Sequence, residues 1–240
     1  MKKIATVLNV SKIFAGGTKA LDSVSLEICQ GDFLLIAGSN ASGKSVLMSL
    51  IAGLDEPTSG KIIVEPGFEA GLVFQDADSQ ILGETPWEDV MFSVKNLRLS
   101  KKEAAEKVQE ALLSVSLLEK KDASSRLLSG GEKRRLAVAG ILSLDRKFFI
   151  FDEPFANLDW PGVRQVVSIM RELKENGKTV IVLTHEIEKI MALASRLAIL
   201  HKGKIRFDGS PKDGLNLPLE EWGIKNPLNS YTRLEDLLWS

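Results

Sequence analysis

Between Phe33 and Ala37 five apolar residues follow one another without a polar break. Such a run predicts a strand covered on both faces. Residues 148–151 and 179–183 carry the same kind of pattern. Upstream the spacing differs. Residues 4–10 are rich in β-formers, and residues 24–28 alternate apolar with polar, as strands with one wet face do. The turn Ala15-Gly16-Gly17-Thr18 separates these two stretches. Residues 61–74 predict further short strands around Pro66-Gly67. Residues 196–201 and 204–208 can pair through Lys202-Gly203.

Helical spacing appears first at Val46, Leu47, Leu50 and Ile51, with Gly53 as the stop. From Asp76 to Leu142 it dominates. Thr85-Pro86-Trp87-Glu88 predicts a capping box with proline at the first helical position. Ser100-Lys101-Lys102-Glu103 predicts a second, followed by a stripe of Ala104, Val108, Ala111, Leu112 and Val115. Ser129-Gly130-Gly131-Glu132 predicts a third, opening a helix to about Ser143. Residues 161–175 and 186–193 also read as helices. Strands alternating with helices predict an α/β fold with a mostly parallel sheet. Residues 1–75 and 143–210 form its core domain, with residues 76–142 as an inserted helical block. Residues 211–240 form a short extension rich in Pro, Gly and Asn, with an amphipathic helix candidate over 232–239.

Composition narrows the picture. The chain has 240 residues, 44% of them hydrophobic, enough to bury a real core. Lys plus Arg number 31 and Asp plus Glu 32, so no global basic field points to nucleic acid. A single cysteine, Cys29, excludes an intramolecular disulfide framework and a multi-cysteine zinc site. His185 and His201 are the two histidines. No apolar run reaches the roughly 18 residues of a spanning helix, and the opening MKKIATVLNV lacks a secretory pattern. The expectation is a cytosolic, reduced protein that serves a membrane, if at all, from its surface.

The candidate chemistry starts where the buried strand ends. Gly38-Ser39-Asn40-Ala41-Ser42-Gly43-Lys44-Ser45 fits GxxxxGK[ST], after a strand and opening a helix. Backbone N–H groups and the helix N-terminus can surround a polyphosphate there. Lys44 adds a charge at the β/γ phosphates, and the Ser45 hydroxyl can ligate Mg²⁺. The alternative is a plain glycine-rich strand–helix turn. Phe148-Phe149-Ile150-Phe151-Asp152-Glu153 is an apolar strand ending in two acids. A P-loop NTPase needs an aspartate there for Mg²⁺, assigned to Asp152. Glu153 beside it can orient or deprotonate the attacking water. The alternative is a strand simply exiting into solvent.

Leu128-Ser129-Gly130-Gly131-Glu132 closely resembles the LSGGQ/E signature of ABC ATPases. Its Ser and Glu also explain themselves as a capping box. Two glycines in a helix's first turn cost up to about 1 kcal/mol each, which suits a phosphate approaching the backbone closely. The resemblance spans about residues 4–210 and implies a P-loop NTPase (RecA-like) core with an N-terminal antiparallel β-subdomain. It implies further roles: Phe14 stacking on adenine, Gln75 as the Q-loop glutamine touching Mg²⁺, Asp159 at the dimer contact, and His185 as the switch histidine at the γ-phosphate. His201 matches nothing. ATP and Mg²⁺ are the implied cofactors. Two subunits, identical or related, would clamp ATP between residues 38–45 of one and residues 129–132 of the other.

Phe74-Gln75-Asp76-Ala77-Asp78-Ser79-Gln80, Glu88-Asp89-Val90-Met91-Phe92 and Lys95-Asn96-Leu97 resemble the energy-coupling factor and cobalt-transport branch. Residues 129–137 fit that branch's SGGEKQR run. The resemblance implies an ATPase on the cytoplasmic face of the membrane that powers uptake of a vitamin or transition-metal ion. Its partners would be a transmembrane coupling protein, gripped near residues 75–90, and a substrate-capture membrane protein. An ATPase of another ABC transporter class, or a non-transport ABC ATPase, is the alternative. Three departures stand out. Ala41 replaces a P-loop glycine, which is tolerated unless the position needs φ > 0. Val46 replaces a threonine, removing one hydroxyl donor but keeping the backbone N–H. That predicts ATP binding weaker by about 0.5–1.5 kcal/mol. The span from Gly60 to Gln75 is short for the family, implying a trimmed β-subdomain.

Overall fold

The computed structural model describes residues 2–229; the helix candidate over 232–239 lies outside the described residues. Six strands form the central sheet: β3 (Phe33–Ala37), β5 (Gly71–Val73), β6 (Phe148–Asp152), β7 (Thr179–Thr184), β8 (Arg196–His201) and β9 (Lys204–Gly209). Their order is β5-β6-β7-β3-β8-β9, parallel except for the β8–β9 hairpin. The unbroken apolar runs are explained by two cores. Phe33, Leu35, Phe149, Phe151, Val180, Val182, Leu197 and Ile199 point into one. The intervening Leu34, Ile36, Phe148, Ile150, Ile181, Leu183, Ala198 and Leu200 point into the other. β3, β6, β7 and β8 are therefore dry on both faces, and alternation disappears from their sequences.

The second core is closed by an antiparallel sheet of β1 (Lys3–Ile13), β2 (Lys19–Cys29) and β4 (Ser59–Val64), in the order β2-β1-β4. Helix α1 (Lys44–Ile51) lies in the same layer, contributing Leu47, Met48, Leu50 and Ile51. The first core is covered by α2 (Pro86–Val94), α3 (Lys101–Ser114), α4 (Gly130–Leu142) and α5 (Trp160–Glu175). The predicted stripe on α3 buries Val108, Ala111 and Leu112.

The capping boxes of α3 and α4 are both complete. At α2 the Thr85 hydroxyl accepts from the Glu88 N–H at 3.2 Å, and no reciprocal bond from Glu88 accompanies it. The expected helix over 186–193 is instead a pair of 3₁₀ turns, Ile187–Lys189 and Met191–Leu193. Ile187, Ile190 and Met191 all reach the core from so short a segment. A regular helix would bury the same i, i+3, i+4 set; the segment departs from one at Ile190, whose φ of −138° breaks the helical path between the two turns. The segment after β9 packs on the first core: Leu219 and Ile224 are fully buried in it, and Trp222 leans on it.

Candidate active site

Strand β3 delivers the loop 38–43 directly into α1. Gly43, the residue before α1, has φ 106°, and a Cβ there would sit 2.6 Å from the Ala20 carbonyl oxygen. Only glycine fits. Gly43 supplies no side-chain cap, so the first-turn N–H donors of α1 face the cavity, as an anion site requires. The conditional about Ala41 is answered: its φ is 60°, the left-handed region. An L-residue there costs roughly 1–2 kcal/mol.

Lys44 is buried and holds the loop from inside. Its Nζ donates to the Gly38 carbonyl at 2.7 Å and the Ser39 carbonyl at 3.1 Å. It also lies 3.1 Å from Glu153 Oε1. That oxygen receives no directed hydrogen bond. Glu153 follows the last residue of β6, with its N–H bonded to the Leu183 carbonyl at 2.8 Å. Its φ of 43° turns the side chain across the sheet end. There Oε2 accepts from the Thr184 hydroxyl at 2.9 Å and meets His185 Nδ1 at 3.1 Å. Burial pushes the Glu153 carboxyl up, but the bond to His185, the Lys44 charge and the Thr184 bond outweigh it. The net shift is downward, so Glu153 is held ionised.

Asp152 behaves oppositely. Burial pushes its carboxyl up, opposed by a hydrogen bond with Ser45 and by the charges of Lys44 and Arg134, with Glu153 adding to the rise. Its Oδ1 is buried without a hydrogen-bond partner. An orphaned carboxylate oxygen on a side chain bonded to the Ser45 hydroxyl suits a hard divalent cation such as Mg²⁺. Gln75 lies two residues past β5, and the β5–β6 register of Val73 with Phe151 sets it level with Glu153. A cavity of about 450 Å³ is lined by residues 18–20, residues 40–46, Gln75 and Glu153.

The structure thus brings Asn40, Ala41, Ser42, Gly43, Lys44, Ser45, Val46, Gln75 and Glu153 to one cavity, with Asp152 beneath and His185 at the rim. Gly38 and Ser39 serve through the carbonyls that hold Lys44. Phe14 stands exposed beyond the end of β1, with Lys12 over its ring at 5.6 Å. Its N–H bonds the carbonyl of Thr18, which lines the cavity.

The signature segment is a separate edge. Ser129 Oγ accepts from the Glu132 N–H at 3.3 Å, and Glu132 Oε2 accepts from the Ser129 N–H at 2.9 Å. The ion pair with Lys120 and the Ser129 N–H hold the Glu132 carboxyl below its usual range. A Cβ on Gly130 would meet nothing within 4 Å. Internal packing therefore gives no reason for a glycine there. Asp159 caps α5, accepting from the Gly162 N–H at 2.9 Å.

Three contributors escaped the sequence reading of roles. Thr184, fully buried, anchors Glu153. Gln80, the last residue of the 74–80 motif, donates to the Leu72 carbonyl at 2.9 Å and accepts from the Phe74 N–H at 3.1 Å. It closes the loop on itself. Arg134 donates to the carbonyls of Phe74 and Gln75. Gln80 and Arg134 stood inside segments already singled out; Thr184 and Arg134 meet partners distant in sequence, whereas Gln80 closes a local loop.

Known proteins resolve which phosphate-binding family this is. The family model described as ABC transporter matches residues 21–156. The chain belongs to that family. A cobalt import ATP-binding protein CbiO from Rhodobacter capsulatus is 36% identical over 90% of this chain and 82% of its own. An energy-coupling factor transporter ATP-binding protein EcfA2 from Clostridium tetani is 38% identical over 89% of this chain and 80% of its own. Among solved structures, CbiO1 from Clostridium perfringens, part of the cbiONQ transporter complex, has TM-score 0.79 and 30% identity, covering 93% of this chain and 98% of that one. An ATP-binding cassette solved as a dimer with ADP and Pi has TM-score 0.80 and 27% identity, covering 87% and 99%. This ABC protein is an ATP-binding, ATP-hydrolysing subunit of the branch that holds the energy-coupling factor and cobalt-import ATPases.

Proposed function

We propose that this ABC ATPase drives an energy-coupling-factor importer for a vitamin or a transition-metal ion, as a peripheral subunit on the cytoplasmic face. The observation that carries the hydrolytic part is the buried Lys44–Glu153–Thr184 cluster at the P-loop cavity, with the exposed His185 on Glu153 Oε2. The α1 N-terminus and Lys44 bind the polyphosphate and offset its charge. Once phosphate draws Lys44 away, Glu153 keeps two donors, Thr184 and His185, that aim it. An aimed, ionised carboxylate can orient water and accept its proton. His185 sits where it can follow the terminal phosphate. Asp152, Ser45 and Gln75 supply the oxygens that would hold Mg²⁺, whose charge would neutralise the phosphates. Hydrolysis then rests on positioning, with no covalent intermediate.

The second reading unit is a partner subunit, identical or related. Its Ser129, Gly130, Gly131 and Glu132 would close over the ATP held here, with Asp159 at the same seam. The open space at Gly130 supports this. The membrane partner docks on another face. Exposed Leu82 and Phe92 line a groove of about 460 Å³ between the 80–97 segment and α4. Asp89 lies in its floor, its Oδ1 accepting from the Leu82 and Gly83 N–H groups at 2.7 and 3.0 Å. An apolar rim with a buried acid fits an amphipathic cytosolic helix of a coupling protein. The test is purification from the native membrane. The expected result is co-isolation with a coupling protein and a substrate-capture protein, with Leu82→Glu releasing both while the freed subunit still binds ATP. Isolation with the membrane subunits of another transporter class, or with none, overturns the importer reading.

A further inference from the structure

Two adjacent arginines on α4 do different things. Arg135 Nε donates to the Val115 carbonyl at 3.1 Å, tying α4 to the end of α3. Arg134, almost fully buried, sends its guanidinium the other way, to the carbonyls of Phe74 and Gln75. Both bonds go to main-chain carbonyls instead of a carboxylate, so this buried cation is committed to the backbone on either side of the Gln75 Cα. Lys133 extends the attachment by pairing with Asp78. From the opposite side Gln80 grips Leu72 and Phe74. The 72–80 segment is therefore clamped between its own Gln80 and the signature helix.

We infer that Arg134 is a positioning residue for hydrolysis, fixing the Gln75 backbone so that its side chain enters the phosphate cavity, and thereby making the signature helix and the Q-loop move as one body. A fork with two N–H groups suits this task because it locks two consecutive carbonyls at once. Burial lowers the Arg134 pKa on balance, against the opposing pull of Asp152, Asp76 and Glu153, but a guanidinium starts far above neutrality. The guanidinium thus stays charged, and its bonds to the carbonyls are the charge-assisted kind. Any displacement of α4, such as a partner closing on Ser129–Glu132, is carried to Gln75 through two bonds and no flexible link. The inference rests on the reading of Gln75 as a residue of the nucleotide site.

The test compares Arg134→Gln with Arg135→Gln in the full chain. In the nucleotide-free protein, Arg134→Gln is expected to speed amide hydrogen exchange across residues 74–80 and leave residues 112–117 unchanged; Arg135→Gln gives the reverse. ATP turnover in Arg134→Gln falls about tenfold to a hundredfold, as for other residues that orient a ligand group, with KM for ATP within about twofold. Arg134→Lys, which reaches only one carbonyl, falls between and covers the case in which the glutamine variant folds poorly. Adding Gln75→Ala to Arg134→Gln costs no more than Gln75→Ala alone. Wild-type exchange over 74–80, or equal effects from the two arginines, overturns the inference. Wild-type turnover in Gln75→Ala sinks the Gln75 assignment instead, while the exchange data still decide whether Arg134 holds the loop.

Discussion

The P-loop edge and the signature edge are built from similar small residues and behave oppositely. At the P-loop edge the groups are buried, charged and under tension. Lys44, Asp152 and Glu153 are all buried, Ala41 and Glu153 carry positive φ, and Asp152 Oδ1 lacks a partner. At the signature edge the Ser129 and Glu132 side chains are satisfied locally. Ser129 has φ −63°, the capping box is closed, and the space beside Gly130 is open. On the proposed function, one edge would be a reaction centre completed by phosphate and a cation, and the other a surface whose open space admits a ligand. Strain at a site is retained when the ligand relieves it; an open glycine is retained when something must come close. On the proposed function, the two edges would be the unlike halves of a nucleotide clamp.

The sharpest way to break the contrast is Glu153→Gln. Thr184 and His185 both address Oε2, so an amide oxygen can keep those bonds. The fold should stand, ATP should bind, and steady-state hydrolysis should fall by about 10²–10⁴. With ATP present the variant should accumulate as a closed dimer in light scattering. Unchanged turnover would remove Glu153 from its role. Gly130→Ala attacks the other edge. A methyl there meets no atom of its own chain, so helix propensity should raise stability by up to about 1 kcal/mol. Turnover should nevertheless fall at least about tenfold, because the methyl enters the space where a partner's phosphate must lie. A variant that is both more stable and fully active would show that this space belongs to no ligand.

The same division explains what the chain's sequence made legible. The P-loop, the Asp152-Glu153 strand end and the boxes at Ser100 and Ser129 were readable because each is local: chemistry, spacing and flanking strand or helix lie within a few residues. The double apolar core was readable from the unbroken runs 33–37 and 148–151. Relations across the sheet were not. Thr184 reaches Glu153 over 31 positions, and Arg134 reaches Phe74 over 60. The helix expected over 186–193 failed although its apolar spacing is helical, because the backbone breaks at Ile190 between two tight turns. Gln80 sat in a motif recognised by resemblance, and only the fold shows that it closes the loop.

A subtler probe sharpens the charged side. Thr184→Val keeps shape but removes the donor to Glu153 and the acceptor of the Glu186 N–H, at 2.9 and 3.0 Å. Stability should drop by about 1–3 kcal/mol. The sign of the pH effect follows from linkage. Glu153 is depressed in the folded state, so its ionisation stabilises the fold above the unfolded value, and that contribution is lost as pH falls through the folded value. Without Thr184 the folded value rises. The acid limb of the pH–rate profile should therefore move to higher pH, with turnover above neutrality changed only a fewfold. A limb that stays in place would mean that Thr184 is merely packed there.

The smallest expected effect tests whether the tension is real. Ala41 holds φ 60° in a loop whose family pattern carries glycine. Restoring glycine removes a left-handed penalty of roughly 1–2 kcal/mol. It adds back roughly 0.5–1 kcal/mol of chain entropy lost on folding. Ala41→Gly should therefore stabilise the protein by about 0–1.5 kcal/mol, measured as a small rise in denaturant midpoint without ATP. Bound ATP should narrow the difference if contacts to the loop already hold residue 41 in place by the same backbone geometry in both proteins. The same substitution logic applied to Ser129, where φ is ordinary, predicts loss: Ser129→Gly removes the hydroxyl cap and lowers stability by a few tenths of a kcal/mol. Opposite signs for one change at two small residues would locate the strain on the P-loop side of the clamp alone.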